Sequence, residues 1–297
     1  MKCDLCPRKC LVDRKKGEKG ICGQTENLKV ARAALHFWEE PCISGDAGSG
    51  AVFFSGCPLH CVFCQNENIA NGTVGKEISL ERLVDIFLEL QEKRANNINL
   101  VTPGHFVPQI VKALDQARKE GLTLPVVYNT SSYETVDTIK MLEGYVDIYS
   151  PDFKYMSPVL SKKYSHAPDY AEVAKAAIAE MVRQTGKAVF VNGDEDNLIL
   201  SGTIVRHLTL PGCMADSMQI LKYLHDTYGD MIYISIMNQF TPLSNLEKYP
   251  ELNRRITDEE YETLVDYAIE IGIENGFIQE GNTAEESFIP AFDCEGV

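Results

Sequence analysis

An alternation of short apolar runs and amphipathic helical patterns is the feature that most constrains the fold of this chain. Because parallel strands need crossover connections, strands that alternate with helices predict an α/β fold with a parallel sheet and helices outside it. An open doubly wound sheet and a complete or partial barrel both satisfy the pattern, and both place their sites at the carboxyl ends of the strands. The predicted strands are residues 51–54, 97–102, 124–128, 146–150, 203–210 and 231–236.

Helical patterns connect these strands. Ser79 is the predicted N-cap of the first helix, and Gly121 is predicted to end the second. One interruption is expected, since residues 188–191 and 198–200 flank an acidic loop and predict an inserted hairpin. The predicted helices are residues 78–94, 107–120, 133–143, 170–184, 215–227 and 258–275.

Three cysteines lie within one short loop directly after the first predicted strand. Cys57, Cys61 and Cys64 define this segment, which we name the cysteine loop (residues 57–64). Thiols so close on a loop are poorly placed to form disulfides, but they can bind one inorganic centre. Because a cubane iron–sulfur cluster takes four thiolates, three would leave one iron open for chemistry. A zinc site completed from elsewhere and three unconnected cysteines are the alternatives, although this spacing fits zinc poorly.

The cysteine loop, with aromatic Phe63 before its last cysteine, resembles the motif of the radical S-adenosylmethionine (radical SAM) superfamily. The flanking residues 52–57 and 64–66 resemble the branch related to pyruvate formate-lyase activating enzymes, in particular homologues that begin with a cysteine-rich segment. The similarity extends to residues 288–293. It implies a partial (β/α)6 TIM-type barrel and a [4Fe-4S] cluster on the three loop cysteines, with S-adenosylmethionine on the fourth iron.

The resemblance also implies a reaction. Such an enzyme, an activating-enzyme-like oxidoreductase, reductively cleaves S-adenosylmethionine to a 5′-deoxyadenosyl radical that abstracts hydrogen from a substrate. Likeness to activating enzymes implies a protein or peptide substrate and an electron donor such as flavodoxin or ferredoxin. The cofactors carry this chemistry, so we predict no catalytic acid or base. The alternative is a non-catalytic iron–sulfur electron-transfer or metal-binding protein.

Polar and aromatic residues near the strand ends match positions that bind S-adenosylmethionine in the resembled family. Asp152 and Lys154 resemble the Asp-x-Lys element that follows the fourth strand. Arg206 is similar to an arginine that points at the cofactor, Asn238 to the region that contacts the ribose, and Phe63 to the residue near the adenine. Capping or turn formation is the structural alternative for each polar residue, and an ordinary ion pair is the alternative for Asp152 and Lys154.

The sequence departs from the family after the second strand. Where a Gly-Gly-Glu-like element often binds the ammonium group, this chain has Thr102-Pro103-Gly104-His105. Thr102 and backbone carbonyls are the predicted acceptors in its place, and His105 is a candidate to face substrate.

The N-terminal cysteine unit (residues 1–24) is a second set of thiols, with Gly and Pro interleaved. Four thiolates can form a complete metal site, and metal binding would supply folding energy that so small a segment lacks. Zinc and a second iron–sulfur cluster both fit, and reduced, unliganded thiols are the alternative. The cysteines are Cys3, Cys6, Cys10 and Cys22.

Net charge and composition limit the binding partners and the cellular compartment that we expect for this protein. A net charge of −15 argues against a nucleic-acid binder, including a zinc-ribbon binder built on the N-terminal unit. Ten cysteines without a secretory apolar segment or a long apolar run predict a reducing cytoplasm and no membrane association.

The predicted organisation has three parts. These are residues 1–49 (cysteine-rich segment and lead-in), residues 50–280 (barrel) and residues 281–297 (C-terminal tail). In the lead-in, residues 28–31 are a candidate edge strand, Trp38 is a predicted core anchor, and Cys42 is a predicted buried thiol, with approach to the cysteine loop as its alternative.

Overall fold

The computed structural model describes residues 2–195, 197–242, 246–279 and 290–297. Its strands are β1 (Leu28–His36), β2 (Ser49–Phe54), β3 (Lys76–Ile78), β4 (Ile98–Val101), β5 (Val126–Thr130), β6 (Ile148–Pro151), β7 (Val189–Phe190), β8 (Ile199–Leu208), β9 (Tyr233–Met237) and β10 (Gly276–Ile278). Its helices are α1 (Pro41–Ser44), α2 (Glu67–Ala70), α3 (Leu80–Glu92), α4 (Val107–Lys119), α5 (Val136–Lys140), α6 (Pro158–Ser165), α7 (Tyr170–Thr185), α8 (Met214–Tyr228) and α9 (Asp258–Glu270).

One mostly parallel sheet organises these elements. Strands β2, β4, β5, β6, β8 and β9 are parallel neighbours in that order, and β10 adds to β9. At the other edge β1 pairs antiparallel with β2, and β3 pairs antiparallel with β1. Within the described ranges no backbone pairing joins β10 to β3, so the barrel stays partial. The predicted α/β partial barrel with six parallel strands is confirmed.

Several element bounds differ from those predicted. The second strand of the predicted hairpin and the fifth predicted strand form one continuous strand, β8. The first hairpin strand, β7, pairs with the first residues of β8 only. Helix 133–143 is reduced to α5, which begins after an N-cap at Thr135. Five elements were not predicted, namely α1, α2, α6, β3 and β10, and the lead-in strand is longer than residues 28–31.

The two faces of the sheet have different roles. Along β2, Val52 and Phe54 pack into the large core shared with helices α3 and α4. Ala51 and Phe53 alternate with them and face a smaller cluster on the opposite side. This alternation is the period-two pattern of a strand, and it leaves the inner face of the barrel free to line a cavity.

The lead-in and the tail meet at β1. Cys294 donates its backbone N–H to the Ala31 carbonyl at 3.0 Å, and Ala33 donates to the Glu295 carbonyl at 2.8 Å. The ring of Phe292 packs on Phe53 with centroids 5.4 Å apart. Residues 290–297 therefore cover the part of β1 that β3 leaves unpaired.

Two predictions about the lead-in have different outcomes. Trp38 as a core anchor is wrong, because it follows the last pair of β1 and is 62% exposed. Cys42 is buried with Ile43 in a small core cluster, as predicted. Among the helices of the described residues, none is long and apolar enough to cross a membrane.

Candidate functional site

The cysteine loop leaves the carboxyl end of β2 through a tight turn. Gly56 adopts φ +93°, and a Cβ there would lie 2.5 Å from the Cys22 carbonyl oxygen, so only glycine fits. The Gly56 N–H donates to the Ile69 carbonyl at 2.7 Å, which closes the loop onto α2. Leu59 and Phe63 are almost completely buried and anchor the loop in the core. Strand, turn and anchors together fix where the thiols point.

The three loop thiols share their surroundings with a hydroxyl and an ammonium group. Ser165, the last residue of α6, donates its hydroxyl to Cys61 Sγ at 3.0 Å, and Tyr155 lies 2.8 Å from the same hydroxyl. Burial raises the pKa of Cys57 to about 11, and the nearby Lys154 ammonium acts in the opposite direction on all three thiols. Thiolates here therefore need further positive charge, which bound iron would supply.

An ion network lies beside the thiols, at the ends of β6 and β8. Lys154 Nζ is 2.7 Å from Asp152 Oδ2, and Arg206 Nε is 3.4 Å from Asp152 Oδ1. Burial acts to raise the pKa of Asp152, but Lys154 and Arg206 outweigh it and lower that pKa. Asp152 is therefore a carboxylate held between two cations.

Arg206 is also held from the opposite end of the barrel. Its Nη1 donates to Glu39 Oε2 at 2.9 Å, and its Nη2 donates to Asn129 Oδ1. Asn99 donates to the other oxygen of Glu39 at 3.0 Å. Because β1 runs antiparallel to β2, its C-terminal end lies at the amino ends of the parallel strands. Glu39, which follows β1, therefore reaches the site from the amino-terminal side of the sheet.

One cavity of about 250 Å³ joins these groups. Its wall is contributed by the cysteine loop and by the ends of six parallel strands, together with the lead-in and the tail. The polar and sulfur-bearing lining includes Glu39, Cys57, Cys61, Cys64, Thr102, Asn129, Ser131, Asp152, Lys154, Arg206 and Gln239, and the apolar lining includes Phe53, Leu59, Phe63, Val101, Leu208 and Met237. The cavity thus places three thiols next to charged groups of both signs and an apolar wall.

The structure brings most of the predicted cofactor residues to this cavity. Phe63 lies in its wall and packs edge-on against Phe240 at 5.9 Å, and Thr102 also lines it. Asn238 is placed differently: its neighbours on the chain line the cavity, whereas its N–H and side-chain amide donate to Gln279. Its contact with a ribose remains a proposal.

His105 does not face the cavity as a substrate-contacting group would. It is 4% exposed, its Nε2 lies 2.7 Å from the Ser55 carbonyl, and its own carbonyl accepts from Arg14. Burial lowers the pKa of His105 to about 3, so the ring is neutral. The turn at Gly104–Phe106 places the ring against the Ser55 carbonyl, just before the cysteine loop, and the substrate-facing interpretation is wrong.

Sequence reasoning missed two residues of the site. Glu39 had only a weak signal, an acidic pair next to Pro41 after a strand. Ser165 had none, because its contact with Cys61 depends on where α6 packs.

The donor set fits a [4Fe-4S] cluster with S-adenosylmethionine beside it. Three partly buried thiols line one cavity, and cysteine thiolates are the usual ligands of such clusters. Arg206 Nε is buried and, among the described residues, makes no hydrogen bond of good geometry, since its ion-pair partner Asp152 Oδ1 lies at 3.4 Å. That donor and the Asp152 carboxylate suit a zwitterionic ligand.

A partial parallel barrel with three cysteines after its first parallel strand defines a cluster-binding enzyme scaffold. The sequence model of the radical SAM superfamily matches residues 51–197, a range that includes all three loop cysteines. The chain belongs to the radical SAM superfamily and is an enzyme of that superfamily, whose members bind a [4Fe-4S] cluster and S-adenosylmethionine. An uncharacterized protein of Methanocaldococcus jannaschii is 27% identical over 275 residues, covering 90% of this chain and 74% of that protein.

Solved structures show the same fold. SuiB of Streptococcus suis bound to S-adenosylmethionine is 13% identical with a TM-score of 0.52, covering 75% of this chain and 48% of SuiB. HydG, a maturase of the [FeFe]-hydrogenase, is 14% identical with a TM-score of 0.51, covering 78% of this chain and 52% of HydG. The chain spans about half the length of these two proteins, and at these identities the likeness shows the fold alone.

Proposed function

We propose that this enzyme is an activating-enzyme-like oxidoreductase that abstracts hydrogen from a protein or peptide substrate. The observation that carries the proposal is the shared cavity of the loop thiols, Asp152, Lys154 and Arg206. When bound, the cluster and S-adenosylmethionine supply one-electron cleavage of the sulfonium S–C5′ bond, which gives methionine and a 5′-deoxyadenosyl radical. The electron comes from an external donor such as flavodoxin or ferredoxin.

The residues of the chain bind and orient in this proposal. Cys57, Cys61 and Cys64 hold three irons of the cluster. Arg206 and Asp152 complement the carboxylate and ammonium groups of S-adenosylmethionine, because they are buried charges of opposite sign in one cavity.

The rest of the cavity excludes water and holds the nucleoside. Phe63 forms the flat wall for adenine, and Asn238 is the proposed partner of the ribose. Leu208 and Met237 keep the wall apolar, which protects a reactive carbon radical from solvent.

A macromolecular substrate is supported by two observations. Among the described residues the sheet ends in β10 on one side and β3 on the other, and a barrel left unclosed between these strands can admit a chain segment. A second SuiB structure, with a TM-score of 0.51, is bound to its precursor peptide. A glycine Cα–H is a chemically suitable target, since the flanking amides delocalise the resulting radical.

Anaerobic reduction of cluster-loaded protein tests the chemistry. We expect S-adenosylmethionine to change the electron paramagnetic resonance spectrum of the reduced cluster, and 5′-deoxyadenosine to accumulate. A changed spectrum without 5′-deoxyadenosine or methionine under any reductant would favour the non-catalytic iron–sulfur carrier.

Isotope transfer tests the substrate class. The reduced enzyme is incubated with S-adenosylmethionine and with either the macromolecular or the small-molecule fraction of a fully deuterated cell extract. Deuterium in 5′-deoxyadenosine from the macromolecular fraction, lost after protease treatment, would support a protein substrate. Deuterium from the small-molecule fraction alone would exclude it.

A further inference from the structure

The backbone of the N-terminal cysteine unit gathers its four thiols. Cys3 donates its N–H to the Val12 carbonyl at 2.9 Å, and Leu11 donates to the Cys3 carbonyl at 3.0 Å, so the segment folds back on itself. Ile21 donates its backbone N–H to Cys10 Sγ at 3.3 Å, which brings the region before Cys22 to the same place. The result is a small loop in which Cys22 is buried and the other three cysteines are partly buried.

A backbone donor points at one sulfur of this unit. The Ile21 N–H donates to Cys10 Sγ at 3.3 Å. A neutral thiol sulfur is a weak acceptor, whereas a metal-bound thiolate is a good one. The surroundings of Cys10 therefore suit a thiolate.

The backbone also approaches one sulfur very closely. A Cβ on Gly20 would lie 3.2 Å from Cys10 Sγ, a contact tight enough to displace the sulfur. Lys9 donates its N–H to the Cys6 carbonyl at 3.0 Å, and this turn brings Cys6 back toward Cys10. Thiolates gathered in one small loop need a bound cation to balance their charge.

The spacing of the sulfurs distinguishes a site for a single metal ion from a site for a cluster. Across the residues that the structure describes, no three Cys, His, Asp or Glu side chains meet at a point that would hold a single ion. The cysteine loop shares this property, because the ligands of a cubane bind different corners. Sulfurs around one zinc ion converge at ~2.3 Å from it.

The unit also supports the cysteine loop. Arg8 donates from Nε to the Pro58 carbonyl at 2.9 Å and from Nη2 to the Ser165 carbonyl at 3.1 Å. His60 of the loop lies 2.7 Å from the Ile21 carbonyl through its Nε2. The contacts at Pro58 and His60 join the two cysteine-bearing segments directly.

We propose that Cys3, Cys6, Cys10 and Cys22 hold a second iron–sulfur cluster, which orders the N-terminal cysteine unit against the cysteine loop. This cluster has four protein ligands, so it has no open iron for S-adenosylmethionine. The presence of this cluster does not depend on the proposed function. Its effect on the cysteine loop does rest on the proposed function, because the loop cluster is part of that proposal.

The test removes the first cluster and then counts iron. In the triple variant Cys57→Ala/Cys61→Ala/Cys64→Ala, anaerobic reconstitution should still incorporate about four irons and about four sulfides per chain. Adding Cys3→Ser and Cys6→Ser should reduce the iron to background, whereas adding Cys213→Ser and Cys294→Ser instead should leave it unchanged.

The outcomes separate this proposal from the proposed function. Iron at background level in the triple variant, or one zinc ion in place of the iron, would overturn the second cluster. Because the triple variant keeps the N-terminal unit intact, misfolding caused by the Cys3 and Cys6 replacements cannot produce that result. Formation of 5′-deoxyadenosine by the unmutated chain is measured separately and tests only the proposed function.

Discussion

The cysteine loop and the N-terminal cysteine unit both gather thiols, but they are held in place by different means. The loop continues a strand of the central sheet, and its Leu59 and Phe63 are buried in the core. The N-terminal unit contributes no strand to that sheet, and its only regular element in the described residues is a short 3-10 turn at Arg14–Lys16. Its Cys3, unlike the core residues, is only partly buried.

This difference indicates how each region becomes ordered. The loop is positioned by folding of the barrel, so its geometry exists before any cofactor binds. The N-terminal unit depends on backbone hydrogen bonds and on docking through Arg8, and metal binding would supply the remaining free energy. We therefore expect the loop to be stable without a metal and the N-terminal unit to be stabilised by one.

Replacement of a loop thiol should give the largest effect and should show whether the two regions bind cofactors independently. Cys64→Ala removes one of three ligands, so we expect formation of 5′-deoxyadenosine to fall below detection while the N-terminal iron remains. Anaerobic product analysis and iron analysis measure the two regions separately. Cys294→Ala, in the tail, is the control and should retain both signals. Loss of all iron in Cys64→Ala would contradict independent centres.

The sequence predicted those parts of the site that follow from the parallel sheet. Asp152, Lys154 and Arg206 lie together because the carboxyl ends of parallel strands meet at one edge. Glu39 could not be predicted, because its position depends on how the lead-in passes under the barrel.

Other errors have the same origin. The orientation of His105 is set by a tight turn, and the exposure of Trp38 by the end of β1. Helix α6 lacks a long apolar period, so neither it nor the contact of Ser165 with Cys61 was apparent. Patterns along the chain define elements, whereas contacts between elements require their packing.

Arg206 should have the next largest effect, confined to the barrel cavity. We expect Arg206→Met to weaken binding of S-adenosylmethionine by about 10- to 100-fold, the loss of a charged hydrogen bond worth ~1.5–3 kcal/mol. Anaerobic calorimetry on cluster-loaded protein measures this. Arg183→Met is the matched control, since Arg183 pairs with Glu143 and Glu180 on the outer surface. Unchanged affinity in Arg206→Met would remove this residue from the proposed cofactor site.

Arg8 should have a smaller effect, and it tests the connection between the two regions. Arg8→Gln removes a cation that donates to the Pro58, Ser165 and His166 carbonyls and lies 5.1 Å from the Tyr133 ring centroid. We expect the loop cluster to be lost to a chelator about fivefold faster, which corresponds to ~1 kcal/mol. The rate is measured with both clusters present, from the electron paramagnetic resonance signal of the reduced cluster that shifts when S-adenosylmethionine is added, since only the loop cluster has an open iron.

The adjacent Lys9 provides the control for Arg8. It is exposed, so Lys9→Gln changes the charge equally without removing a contact to the loop. Equal rates in Arg8→Gln and Lys9→Gln would mean that the N-terminal unit does not stabilise the loop.

Ser165 should have the smallest effect, because it changes one hydrogen bond to a sulfur and no ligand. Its hydroxyl donates to Cys61 Sγ at 3.0 Å, and such bonds stabilise the more negative, reduced cluster. The reduction potential changes only by the difference in the strength of this hydrogen bond between the oxidised and the reduced cluster. We therefore expect Ser165→Ala to lower the potential by a few tens of millivolts, where ~59 mV corresponds to 1.4 kcal/mol for one electron. Redox titration followed by electron paramagnetic resonance measures the shift for each centre. Ser161→Ala, on the same helix with its hydroxyl on the Pro158 carbonyl, should leave both potentials unchanged. If the shift occurred in the signal ascribed to the N-terminal centre and not in that ascribed to the loop centre, the assignment of the two electron paramagnetic resonance signals would have to be exchanged.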